Sequence, residues 1–251
     1  GRHVMQKAAE NITPVTLELG GNDPGILLDD APLSPDFFKK LYISCFLTSG
    51  QVCMALKRLY VPRGLFDDVI DGLGAVMDNQ MVGDGLKDGV TMGPLTTPQQ
   101  KRTVEIMLEE AASAGQDIRH YGKIEDEADF AAGRFLRPSL VINADPALSV
   151  VRDEQFGPTL PVIAYDSEDE AVAMANDSDY GLSSSVWSDD PARAVTLARR
   201  LEAGFTNINS HGPAAMDGLS PFGGVKQSGI GRNFGHEGVR QFQEVHSISG
   251  Q

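Results

Sequence analysis

At 251 residues, 41% of them hydrophobic, the chain is long enough for one large domain, or for one domain plus part of another. Its 21 basic against 35 acidic residues give a net charge of −14, which argues against nucleic acid as a main partner, because phosphate recognition needs clustered Lys and Arg. No apolar run reaches the roughly 18 residues that span a bilayer, no apolar stretch follows the charged start to make a signal peptide, and two cysteines are too few for a disulfide framework, so no membrane partner and a reducing, cytoplasmic setting are expected.

In chain order, residues 2–11 read as a helix and 14–19 as a short strand stopped by Gly20-Gly21. Ile26-Leu27-Leu28 is a second apolar run. Ser34 or Asp36 caps a helix running to about Leu47, which Ser49-Gly50-Gln51 breaks. A β-rich strand follows at 58–62, then a helix over 65–77 and an amphipathic helix over 97–115 with Val104, Met107, Leu108 and Ala111 at helical spacing. Strands are expected at 140–142, 160–164 and 205–209, and helices at 167–177 and 190–202. Strands alternating with helices predict an α/β fold, an open, mostly parallel twisted sheet flanked by helices. The Gly-rich segment 218–235 holds too many large residues for a flexible spacer and reads as a structured loop or domain crossing.

The candidate chemistry starts with Cys53, set between a helix and a strand, where a turn exposes a thiol and its backbone N–H groups favour a thiolate or an oxyanion. The competing reading is a small buried core residue, the commonest fate of a free cysteine. Cys45 lies on an apolar helix face and is read as core. Glu18 ends an apolar strand. It is either a solvent-facing strand residue or a carboxylate whose partial burial raises its pKa and suits it to general-base work. Glu154 and Phe156 flank an aromatic-Gly-Pro turn that is either an ordinary turn or a holder of ribose hydroxyls. No Cys/His cluster has zinc spacing and no phosphate-loop motif occurs, so no metal site is expected. His3, His120, His211, His236 and His246 are scattered and read as surface or structural residues.

Together these segments resemble the aldehyde dehydrogenase family. Leu17-Glu18-Leu19-Gly20-Gly21 is similar to the family's general-base motif. Ser49-Gly50-Gln51-Val52-Cys53 with Lys57-Arg58 is similar to its nucleophile motif, at the spacing that family uses. Glu154-Gln155-Phe156-Gly157-Pro158 resembles its cofactor-contacting E-x-F-G-P. Residues 176–182 resemble N-x-x-x-Y-G-L, and 221–229 resemble P-F-G-G-x-K-x-S-G. The resemblance covers essentially the whole chain. It implies an aldehyde oxidised to a carboxylic acid with NAD or NADP, through a thiohemiacetal and a thioester on Cys53, with Glu18 as base. It further implies that Leu19, Gly20, Glu154 and Phe156 contact cofactor, and that Val52, Met54, Phe222 and the 210–220 loop flank the aldehyde. By the same resemblance residues 1–19 are the tail of a cofactor-binding domain, 20–224 the catalytic domain, and 225–251 a return to the cofactor and oligomerisation region. The parent is then a longer protein, a homodimer or homotetramer, joined partly by a strand at 243–249; these residues alone are expected to be inactive. Two other readings remain open on the residues alone: a cysteine-dependent esterase or acyl transferase, and a non-enzymatic assembly fragment.

Overall fold

The computed structural model describes residues 1–250. It opens with α1 (Arg2–Ala9), a helix without a buried residue, and β1 (Leu17–Glu18). Next, β2 (Asp23–Leu27) enters the main sheet with all of its residues buried. Ser34 Oγ accepts the Phe37 N–H at 3.2 Å and Pro35 presets the first helical φ, so α2 (Pro35–Phe46) starts where its capping sequence predicts. There follow β3 (Leu56–Pro62), α3 (Phe66–Asp78) and β4 (Met81–Val82). The Thr97 side chain caps α4 (Pro98–Ser113) by accepting the Gln100 N–H at 3.1 Å.

The second half runs β5 (Asp117–His120), β6 (Lys123–Ile124), α5 (Glu127–Ala132), β7 (Ser139–Ile142) and α6 (Ser149–Arg152). Then come β8 (Thr159–Tyr165), α7 (Glu168–Asn176), β9 (Ser183–Trp187), α8 (Pro191–Ala198) and β10 (Phe205–Ile208). Two short elements, β11 (Gly229–Ile230) and α9 (Gly235–Arg240), precede the tail.

Seven strands form the main sheet in the order β10-β9-β2-β3-β8-β7-β5. Every neighbouring pair is parallel except β5 with β7 at one edge. This is the expected α/β fold. Side chains that alternate along each strand feed two cores. Leu27, Leu59, Val61, Leu140, Leu160, Val162 and Trp187 pack on the side of α2 and α3. Ile26, Leu28, Tyr60, Val141, Ile163 and Val186 pack on the opposite side with residues of α4, α6, α7 and α8. Burial on both faces is why the central strands read as continuous apolar runs.

The structure departs from the sequence reading at three places. The strand read over 14–19 shrinks to Leu17–Glu18 and lies outside the main sheet, because its antiparallel partner is β11. The tail at 243–249 forms no strand within this chain, and Val245 and Ile248 are 93% and 90% exposed. Strand β9 was not foreseen, since Ser183-Ser184-Ser185 has no apolar signal. Two of its three hydroxyls find partners instead: Ser184 Oγ meets Thr206 Oγ1 at 2.8 Å, and Ser185 Oγ accepts the Trp187 Nε1–H at 2.9 Å.

The topology puts several loops on one edge. Gly20-Gly21, Cys53, Glu154-Gln155-Phe156 and Leu182 each stand just before one of the adjacent parallel strands β2, β3, β8 and β9. They therefore converge where these strands begin, opposite to the carboxyl-end crevice that open α/β sheets commonly use.

Candidate active site

The nucleophile segment is built by a forced turn. Helix α2 ends at Phe46, and Thr48, Ser49 and Gly50 then take φ of 50°, 59° and 72° in succession. Left-handed backbone costs a non-glycine residue on the order of 1 kcal/mol, so the turn needs outside support. Ser49 Oγ donates to Gly93 O at 2.8 Å, and Gln51 Oε1 accepts from both Thr96 N (2.8 Å) and Thr96 Oγ1 (2.9 Å). The result is an exposed Cys53 with its neighbour Met54 buried. Cys45, by contrast, is buried on α2, and burial pushes its thiol up to about 12.

Burial within the cleft also pushes the Cys53 thiol up, and the Asp23, Glu18 and Glu154 carboxylates act in the same direction. The Met54 N–H, a hydrogen-bond donor to the sulfur, opposes them. Glu18 is carried by β1, which β11 holds in register opposite Gly229. Desolvation raises its carboxyl above the ordinary range, while the Gly224 N–H and the Arg232 guanidinium pull it down. Glu154 Oε1 accepts the Gly21 N–H at 2.9 Å. Its carboxyl is likewise raised by desolvation. Phe156, two residues on, has φ 48°.

These groups share one cleft of about 460 Å³, lined by Glu18, Leu19, Gly20, Cys53, Gln100, Glu154 and Phe156. Six of the seven were singled out by motif. Gln100 was not, because it lies in the first turn of α4 with no motif around it; its Nε2 donates to Gln155 O at 2.7 Å and so braces the cleft wall. The three residues expected beside an aldehyde gather in one apolar cluster next to Cys53. Met54 and Phe222 are buried and form an apolar cluster with Leu182, against which half-buried Val52 packs. Val52 and Met54 flank Cys53 directly in the chain, and Phe222 packs against the same segment. His211 is the one histidine that is buried, while His3, His120, His236 and His246 are exposed.

Residues 1–248 match the aldehyde dehydrogenase family along almost their whole length. The chain belongs to the aldehyde dehydrogenase family. It is 37% identical over 248 residues to the geranial dehydrogenase of Castellaniella defragrans, covering 99% of this chain and 50% of that protein. The glutarate-semialdehyde dehydrogenase of Pseudomonas aeruginosa is 36% identical over 245 residues, covering 98% of this chain and 49% of that protein. In shape the chain resembles the betaine aldehyde dehydrogenase of Staphylococcus aureus in complex with NAD+ (TM-score 0.89, 34% identity, 96% of this chain and 48% of that one). A Mycobacterium tuberculosis aldehyde dehydrogenase complexed with NAD+ is equally similar, with a TM-score of 0.89 and 34% identity over 96% of this chain and 49% of that one. The chain thus spans about half the length of the relatives it matches.

For an aldehyde dehydrogenase chain, Lys57 is an informative neighbour. It is fully buried directly after the nucleophile segment, and its Nζ donates to Gly157 O at 2.7 Å. One buried ammonium therefore ties the cysteine turn to the loop that carries Glu154 and Phe156. Burial pulls its pKa down to about 8.

Proposed function

We propose that the chain forms the catalytic half of an NAD(P)-dependent aldehyde dehydrogenase that oxidises an aldehyde to a carboxylic acid. The observation that carries this reading is the single cleft in which Cys53, Glu18 and Glu154 meet. In this reading the Cys53 thiolate attacks the aldehyde carbon. A C–S bond forms, the carbonyl π pair moves to oxygen, and the Cys53 backbone N–H helps hold the resulting oxyanion. NAD or NADP, when bound, supplies the acceptor for the hydride that turns the thiohemiacetal into a thioester. Glu18 then takes a proton from water, whose oxygen attacks the thioester carbon. The C–S bond breaks, the acid leaves, and Cys53 is regenerated.

The residues present fit such a cofactor. Glu154 commits one oxygen to Gly21 and leaves the other for a ribose hydroxyl. Gly20 has no side chain to block the approach, and Phe156 offers an aromatic face in the same cleft. The pairing of β1 with β11 supports the division of the chain. It joins residues 1–19 to residues 225–251 in a small sheet of their own, apart from the catalytic domain over 20–224. Exposed Phe242, Val245 and Ile248 support a dimer or tetramer in which the tail is covered. A reducing compartment, which keeps Cys53 a thiol, belongs to the same reading.

The test is made at full family length. Cys53→Ala is expected to abolish aldehyde oxidation, and more than trace turnover would sink the assignment. Residues 1–251 alone are expected to bind NAD and NADP weakly in titration calorimetry; ester hydrolysis by them without nicotinamide would favour a cysteine hydrolase instead.

A further inference from the structure

Behind the cleft lies a polar cluster that the chemistry above leaves unused. Asp23, the first residue of β2, is buried, and its Oδ1 accepts the Ser183 N–H at 3.1 Å. His211, at the head of the 210–220 loop, is buried too, with Nε2 3.6 Å from Asp23 Oδ2. Neither of those two atoms has a hydrogen-bond partner among the described residues. His211 Nδ1 stands 2.9 Å from Ser185 Oγ, which already accepts the Trp187 Nε1–H at 2.9 Å. The Ser185 hydroxyl proton is thereby free to point at Nδ1, which puts the imidazole proton on Nε2, facing the Asp23 carboxylate.

The cluster abuts the nucleophile. A β-carbon on Gly21 would touch both the Cys53 carbonyl oxygen (2.5 Å) and Asp23 Oδ1 (2.7 Å). Ser44 of α2, the helix that leads into the cysteine turn, donates to Lys40 O at 2.7 Å, and its Oγ lies 3.3 Å from the His211 carbonyl. We propose that Asp23 and His211 form a buried pair behind Cys53 that sets how readily its thiol reacts. Asp23 acts on the thiol through its charge, and His211 is a positioning residue that keeps Asp23 ionised. The proposal rests on the reading of Cys53 as the reacting thiol.

The charges that matter are few. Asp23, Glu18 and Glu154 face the thiol, while His211 and Arg58 face Asp23. Burial pushes the Asp23 carboxyl up; the His211 ring, the Ser183 N–H and Arg58 hold it down. Without His211 the carboxyl loses one of the groups that hold it down, so it shifts further up and its ionised form, which repels the thiolate, is weakened.

Alkylation of the chain by iodoacetamide across pH tests this, with the label mapped to Cys53 or Cys45 by peptide mass spectrometry. Asp23→Asn keeps the shape and removes the charge. Its rate–pH curve is expected to move to lower pH, with alkylation near neutral pH about tenfold faster, as one unit charge acting across a protein interior would give. His211→Asn is expected to act in the same direction. The double variant should react no faster than Asp23→Asn alone, because His211 works through Asp23. An unchanged curve in Asp23→Asn overturns the proposal, and additive acceleration in the double variant overturns the role of His211. If Asp23→Asn does not fold, an unchanged curve in His211→Asn decides against the pair. A label found on Cys45 would overturn the reading of Cys53 itself, whereas a label on Cys53 with unmoved curves defeats only the pair.

Discussion

Gly20 and Glu154 are packed so closely that a β-carbon on the glycine would lie 2.3 Å from Glu154 Oε2. The carboxylate can retreat only by giving up the Gly21 N–H it accepts at 2.9 Å. Gly20→Ala is therefore expected to cost about 1 kcal/mol of stability, the worth of one hydrogen bond, while disturbing the group proposed to hold the ribose. The expected pattern is a small change in melting temperature with at least a roughly tenfold rise in the cofactor KM, which is about 1.4 kcal/mol of binding. A normal KM in the folded variant would remove Glu154 from cofactor binding.

Gly50 is the position where the cysteine turn depends most on glycine. Its φ is 72°, and an added β-carbon would fall 2.3 Å from Gly157 O and 2.5 Å from Lys57 Nζ. Left-handed strain and a displaced backbone add up, so Gly50→Ala should destabilise by about 2–4 kcal/mol. Gly64→Ala is the control, since nothing lies within 4 Å of its β-carbon, and it should stay within about 0.5 kcal/mol. Urea midpoints of the two variants compare them directly; equal midpoints would mean that the turn relaxes without cost.

Lys57 makes stability depend on pH with a definite sign. Burial lowers its pKa from 10.5 to about 8. Below about 8 the folded and unfolded chains both carry the proton, and the burial penalty is present in full. Between about 8 and 10.5 the unfolded chain holds a proton that the folded chain has lost, so this group's contribution to stability rises with pH. Compared with Lys57→Met, the wild-type chain should gain about 3 kcal/mol across that window. Denaturant midpoints of both proteins at successive pH values measure it. The buried Cys45 thiol, pushed up to about 12, is present in both and largely cancels in the difference. A gap that stays constant with pH would show that the buried amine holds its proton as firmly as a free lysine and that burial does not lower its pKa.

Glu18 should show itself in the pH dependence of turnover at full family length. Desolvation lifts its carboxyl above 4.5, so the proposed base is lost by protonation as pH falls through a midpoint above the ordinary glutamate value. Glu18→Gln is expected to slow steady-state oxidation by about 10²–10⁴-fold and to erase that acid limb. A rapid first turnover should survive, because the acyl-enzyme forms and then waits for water. Loss of the first turnover along with the rest would place Glu18 before the thioester.

Much of this was legible in the residues themselves. Ser34-Pro35 and Thr97-Pro98 mark their helix starts, since a cap and a proline are local devices. The two-sided apolar strands, and the motifs around Glu18, Cys53 and Glu154, likewise need no knowledge of distant contacts to be read. What lies on distant segments was not legible. Gln100 enters the cleft only because α4 begins beside the 154–158 loop, and serine-rich β9 can be a buried strand because Thr206, Trp187 and His211 partner two of its three hydroxyls. Met54 and Phe222 turned inward because Leu182 gives them an apolar partner.

By itself the order of residues determined the α/β class, the helix starts and which thiol and carboxylates to watch, for these follow from periodicity, capping and local chemistry. The tertiary structure alone decided between an open and a buried Cys53, that Glu18 hangs from a strand paired with residues 229–230, and that Asp23 meets His211 behind the nucleophile. Burial and charge at a site are sums over segments far apart in the chain, and only folding brings those segments together.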